Sequence, residues 1–295
     1  MIRFSFLAAA ALAAAALHAP AQAAQPAGPA AAVDPSKLKA FATLPDWSGV
    51  WTLAPGVPGG SFDPSLTVPK GGQSGLAGVR VDAPLTPEWA AKYAANRAKV
   101  DADRFPDPVS FCGTPSGFPR VLTIPDGYEF VVRPEQTWIL TENGPNVIRV
   151  YTDGRGHLPP DEIWATFSGD SIGHWEGETL VFETIAMVGD GSTILDRTGL
   201  TLSGKQKVTT RLRKTAPDML ESQMTIEDPV ALTRPWTVTR LYKRQPVGSR
   251  VFDYVCTENN RNPITATGQT LTLDTSGNQI DRKVDPAPEG GKAAP

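Results

Sequence analysis

Beyond residue 23 the chain carries two histidines, His157 and His174. Histidine is the side chain best suited to moving a proton near neutral pH. Both stand in a polar stretch with Asp153, Arg155, Asp161, Glu162, Asp170, Glu176 and Glu178. In Asp153-Gly154-Arg155-Gly156-His157 two glycines free the backbone beside three side chains able to carry charge. An acid–base site built there would use His157 as the proton shuttle, Asp153 to orient it and Arg155 to hold an anion. The same residues also read as a tight polar turn whose aspartate bonds its own backbone.

A second run, Asp170-Ser171-Ile172-Gly173-His174-Trp175-Glu176, offers Asp170 and His174 as ligand contacts. Asp170, Ser171 and His174 hint at a nucleophilic set, but there is no strained GxSxG elbow. As metal ligands, Asp170, His174 and Glu176 lack a second nearby histidine, and no metal or cofactor is expected. The structural alternative is a hairpin that packs Trp175 on a wall and turns at Glu176-Gly177. Further on, Trp236, Val238, Arg240 and Tyr242 share one face of a predicted strand. That parity aims Arg240 inward, where a cation must be paired, by a carboxylate or by an anionic ligand beside Trp236. One β-bulge would turn it outward. Seven tryptophans, among them Trp51, Trp138, Trp164 and Trp236, suit either the lining of an apolar cavity or an ordinary core.

The elements that must position these groups are mostly strands. The pattern predicts them at 128–132, 136–142, 147–152, 162–168, 179–185, 205–214, 219–227 and 235–244, separated by turns. Val208, Thr210 and Leu212 alternate with Thr209, Arg211 and Arg213. Leu220, Met224 and Ile226 alternate with Glu221, Gln223 and Glu227. Such strands have one buried and one wet face. The loops 153–161 and 169–178 flank the strand expected at 162–168, so they belong at opposite ends of a meander. Asp46-Trp47-Ser48-Gly49-Val50-Trp51 opens the body, with Gly49 expected where a ring or backbone packs closely. One helix is signalled from Pro87 to about Asp101, with Thr86 as its cap and Glu88 complementing its dipole. These elements predict an all-β fold with one peripheral helix, and with Gly49-Val50-Trp51 at their head they resemble a lipocalin/calycin-like antiparallel β-barrel.

The N-terminus reads as an export signal. Arg3 precedes an uncharged run, Phe4–Leu17, and Ala21-Gln22-Ala23 supplies a small-x-small cleavage site before Ala24. That run is shorter than the roughly 20 residues that span a bilayer, and no membrane span is expected. The expected organisation is a signal peptide at 1–23, a flexible tether at 24–43, one barrel domain at 44–270 with a loop and helix insertion at 54–127, and a disordered tail at 271–295. The net charge of −3 and the lack of a basic run argue against nucleic acid as a partner. In an oxidising compartment the two cysteines, Cys112 and Cys256, read as a disulfide.

Gly49-Val50-Trp51 resembles the GxW start of a lipocalin. Tyr151-Thr152-Asp153-Gly154-Arg155, Ser171–Val181, Glu227-Asp228-Pro229 with Thr233–Thr237, and Cys256 with Glu258-Asn259-Asn260 resemble a family of uncharacterised exported bacterial proteins. The likeness spans roughly 44–262 and implies export to the periplasm or medium and a β fold. A histidine frequent in that family has no counterpart here, where Leu202-Ser203 stands, so no reaction is implied. Two functions fit these residues. One is a periplasmic acid–base enzyme (lyase, isomerase or hydrolase) acting on a small, largely apolar molecule. The other is a non-catalytic carrier of an apolar ligand. A structural envelope protein is a thinner third option.

Overall fold

The computed structural model describes residues 40–54, 83–101, 117–124, 126–142, 147–189, 194–195 and 199–252. Cys112 and Cys256 with their expected disulfide, the expected signal peptide, most of the expected tether and the expected tail lie outside the described residues. The tether's last residues do not run straight into the body, because 40–42 form a helical turn.

Among the described residues the fold is an all-β closed barrel of nine strands with one peripheral helix. The strands are β1 (Val50–Leu53), β2 (Tyr128–Val132), β3 (Gln136–Thr141), β4 (Val147–Tyr151), β5 (Asp170–Glu176), β6 (Thr179–Ile185), β7 (Lys207–Ala216), β8 (Met219–Glu227) and β9 (Trp236–Arg244). Neighbours in sequence are neighbours in space, and β9 closes on β1 through Trp51↔Arg244 and Leu53↔Tyr242. An odd number of strands cannot close with every pair antiparallel. The necessary parallel pair is β4–β5, a short seam of Val150↔Ser171 and Tyr151↔Ile172. A parallel pair needs a crossover of about a dozen or more residues. The chain supplies it as 152–169, running along the outer wall.

This seam corrects the sequence reading in two places. Residues 162–168 are not a strand; only Thr166 makes an isolated bridge, to Met187. Residues 170–176, expected within a loop, form β5, and the turn falls at 177–178. Gly169 shows why the chain can swing in at this point. Its φ is +68°, and an added Cβ would fall 2.6 Å from the Ile185 carbonyl oxygen.

Elsewhere the alternation reads as expected. Val208, Thr210 and Leu212 of β7, and Leu220, Met224 and Ile226 of β8, are all sealed inside. No bulge disturbs β9, so Trp236, Val238, Arg240 and Tyr242 all point inward. The one register shift between β7 and β8 sits at Lys214/Ala216. The helix, α1 (Pro87–Asp101), starts after Thr86, whose carbonyl accepts the first helical bond from the Ala90 amide. Its Trp89 and Tyr93 are buried in the core cluster, and Asn96 donates to the Gly199 carbonyl at 2.9 Å.

The inward faces of the described strands are sealed from solvent. A 3-10 turn, Arg120–Thr123, plugs one mouth. The Tyr242 hydroxyl donates to the Leu122 carbonyl at 2.6 Å. The Tyr128 hydroxyl lies 2.6 Å from the Ile124 carbonyl and 2.9 Å from that of Val121. Burial pushes both phenols to pKa values well above the ordinary tyrosine range. The other end is closed by aromatic rings, with Trp47 packed 5.3 Å from Trp175 and 6.0 Å from Phe130.

Candidate functional site

The crossover reaches the wall through a series of local ties. The Thr152 hydroxyl donates to the Pro134 carbonyl and its amide to that of Glu135. Gly154 then takes a φ of +86°. That turn brings Arg155 back onto Asp153, with contacts from 2.6 to 3.1 Å, and the guanidinium stacks over the Tyr151 ring at 4.1 Å. The Arg155 hydrogen bonds hold the Asp153 carboxyl below its ordinary pKa.

Asp153 is therefore occupied and does not orient His157. The carboxylate on His157 is Asp170, at the head of β5, 2.6 Å from Nδ1. The opposite nitrogen, Nε2, faces Glu183 of β6 at 3.5 Å. Glu183 in turn lies 3.4 Å from Lys207, which reaches Glu227 at 3.0 Å. Those two carboxylates, Glu227 first, raise the Lys207 pKa. His157 thus begins a row of polar and charged side chains running across the outer wall from β5 to β8.

Geometry limits what this histidine can do. An imidazole bonded to a carboxylate through Nδ1 presents Nε2 as its reactive nitrogen. Here Nε2 is buried and has no hydrogen-bond partner, closed over by the wall and Glu183. A substrate cannot reach it in this arrangement. The arrangement fits a pin that fastens the crossover to the barrel.

His174 is separate. It lies four residues further along β5, with a side chain 65 % exposed, and contacts Glu176 at 3.2 Å. Arg211 meets the other Glu176 oxygen at 2.7 Å; together, Arg211 first, they lower the Glu176 pKa. Ser171, the possible nucleophile, points inward and shares a 2.8 Å hydrogen bond with Thr184. Arg240 and Trp236 also point inward, at 0 % and 6 % exposure, and belong to the packed core. The tryptophans divide by parity. Trp51 and Trp236 are core, Trp138 is half-buried on the outer face, and Trp164 stands 73 % exposed on the crossover. Among the described residues no group of three His, Cys, Asp or Glu side chains is placed to share a metal ion.

Open space among the described residues lies beside β2. The β1–β2 ladder stops at Val50↔Glu129, while β2 runs on to Val132. The chain ahead of β1 bends away from β2 instead of pairing with it. Asp46 starts that bend by accepting the Ser48 amide at 2.9 Å, and Gly49 completes it with a φ of +94°. A Cβ on Gly49 would meet nothing closer than 3.8 Å, so its role is backbone conformation and not the close packing expected. Trp47 is locked below, its carbonyl accepting from the Trp51 indole at 2.9 Å. The result is a groove of about 470 Å³ between residues 41–49 and the exposed flank of β2. Phe41, Leu44, Val131 and Val132 supply its apolar lining.

No residue pattern announced this groove. Its only sequence signals were the turn-forming Asp46-Trp47-Ser48-Gly49 and the apolar Phe41 and Leu44 ahead of it. No family model matches the chain, and no curated protein matches it significantly.

Proposed function

We propose that the protein is an exported, non-catalytic binder of a small apolar molecule, and that the ligand lies in the groove beside β2 and not inside the barrel. Ala21-Gln22-Ala23 after an uncharged run supports export. The observation that carries the binding reading is the groove. Its volume of about 470 Å³ suits a small ligand, for which sites of roughly 300–1,000 Å³ are usual. Burial supports the same placement, since Leu180, Leu212 and Tyr242 on the inward faces of β6, β7 and β9 are sealed from solvent.

Titration of the full chain with N-phenyl-1-naphthylamine, an uncharged apolar fluorophore, tests this. Saturable binding should be lost in Val131→Arg, which puts a guanidinium on the groove wall, and kept in His174→Ala. Saturable binding that Val131→Arg leaves unchanged would remove the groove as the site.

The acid–base reading keeps one observation in its favour, the 2.6 Å bond between His157 and Asp170. On that reading Asp170 replaces Asp153 as the orienting carboxylate, and Glu183 must swing away to uncover Nε2. Glu183→Ala would then speed any turnover of an added substrate. On the binding reading it only loosens the crossover.

A further inference from the structure

The charged side chains lining the groove are both acids, Asp46 and Glu129. No base lines it among the described residues. We infer that the groove selects an apolar cation, a molecule with a hydrocarbon body and a positively charged amine or ammonium head. This rests on the groove being the ligand site and adds the class of ligand it takes.

The two acids are not equivalent. The side chain and amide of Ser48 bond Asp46 and lower its pKa, with smaller contributions from Arg244 and Lys214. The nearer of those cations, Arg244, approaches the Asp46 carboxylate at 3.8 Å. Asp46 is therefore ionised but partly neutralised by these two cations. Glu129 projects from the outer face of β2 and makes no ion pair with any described residue. It leaves a half-buried negative charge facing the groove. A carboxylate beside apolar walls attracts a cation more strongly than one in open water, because fewer waters screen it. Phe41, 54 % exposed at the rim, adds an aromatic face that favours a weakly hydrated ammonium. An anionic ligand would meet the Glu129 carboxylate, so the groove discriminates by repulsion as well as attraction.

The test uses three ligands with one hydrocarbon body: decyltrimethylammonium, decanol and decanoate. Each is titrated calorimetrically into the full chain below its aggregation concentration. Decyltrimethylammonium should bind roughly fivefold tighter than decanol, the size of a partly screened ion pair, and decanoate weakest. In Glu129→Gln the advantage of the ammonium over decanol should disappear, with decanol binding unchanged. Equal affinities for all three would overturn the choice of a cation and leave the groove as the site. A preference that survives Glu129→Gln would overturn it too, because the selecting charge would lie elsewhere. Binding of all three that Val131→Arg does not touch would overturn the groove itself.

Discussion

The inside of the barrel and the groove beside β2 meet at Trp47 and Phe130, which belong to the core and also line the groove, yet the inward faces are sealed and the groove is open. Inside, strand parity drives Phe182, Leu212, Met224 and Tyr242 toward a common axis, and a plug at 120–123 closes one mouth. The groove forms where pairing stops: β1 releases β2 after Val50↔Glu129, and the last three residues of β2 have no β1 partner. A barrel pattern therefore implies a sheltered core, not a chamber. Ligand space follows instead from an interrupted ladder.

The contrast is broken most forcefully at Phe182, which is 1 % exposed and packs 6.0 Å from Phe118. Phe182→Ala should cost about 3–5 kcal/mol in denaturant unfolding, through lost burial and the void left behind. Ligand affinity in the remaining folded protein should not change. A gain in ligand affinity would show that interior space can be used.

Val131→Arg is the reciprocal experiment. It should weaken binding of an apolar probe roughly thirtyfold, about 2 kcal/mol, because a charged head would need desolvation in the groove. Unfolding should shift by less than about 0.5 kcal/mol, as for other surface changes.

His157→Ala removes the pin between the crossover and β5. Loss of a hydrogen bond to a carboxylate, with its partner left half-buried, should cost about 1–2 kcal/mol. Hydrogen exchange should quicken at 152–169 and stay slow in β7 and β8. Uniform quickening across the barrel would mean that the seam and the wall unfold as one unit.

The smallest effect is expected on the acid side. Asp46 has a folded pKa below its ordinary 3.8, so its contribution to stability is complete above that value and is lost as pH falls through the lower one. Glu176 behaves likewise below its ordinary 4.5. Stability should decline below about pH 4, and Asp46→Asn should flatten part of that decline. An identical acid limb in the variant would remove Asp46 from the account.

The wall was legible because alternation is local. Val208, Thr210 and Leu212 declare a buried face without reference to any neighbour, and the same parity placed Arg240 inside. The seam was not legible because closure of an odd-stranded barrel is a property of the whole sheet. Residues 162–168 carry strand-forming types, but the crossover gives them no edge to pair with, and Trp164 faces solvent. The site reading failed in a related way. Asp153 lies four residues before His157 in the same glycine-rich turn, but Arg155 captures it two residues on, while the fold delivers Asp170 from thirteen residues away. The groove had no pattern to read, since it is defined by a pairing that ends.

Methyl-resolved NMR of the full chain during titration with decanol decides between the two regions. The account predicts shifts at the groove methyls of Leu44, Val131 and Val132, and none at the interior methyls of Ile139, Leu212 and Val238. Shifts confined to the interior set would contradict it.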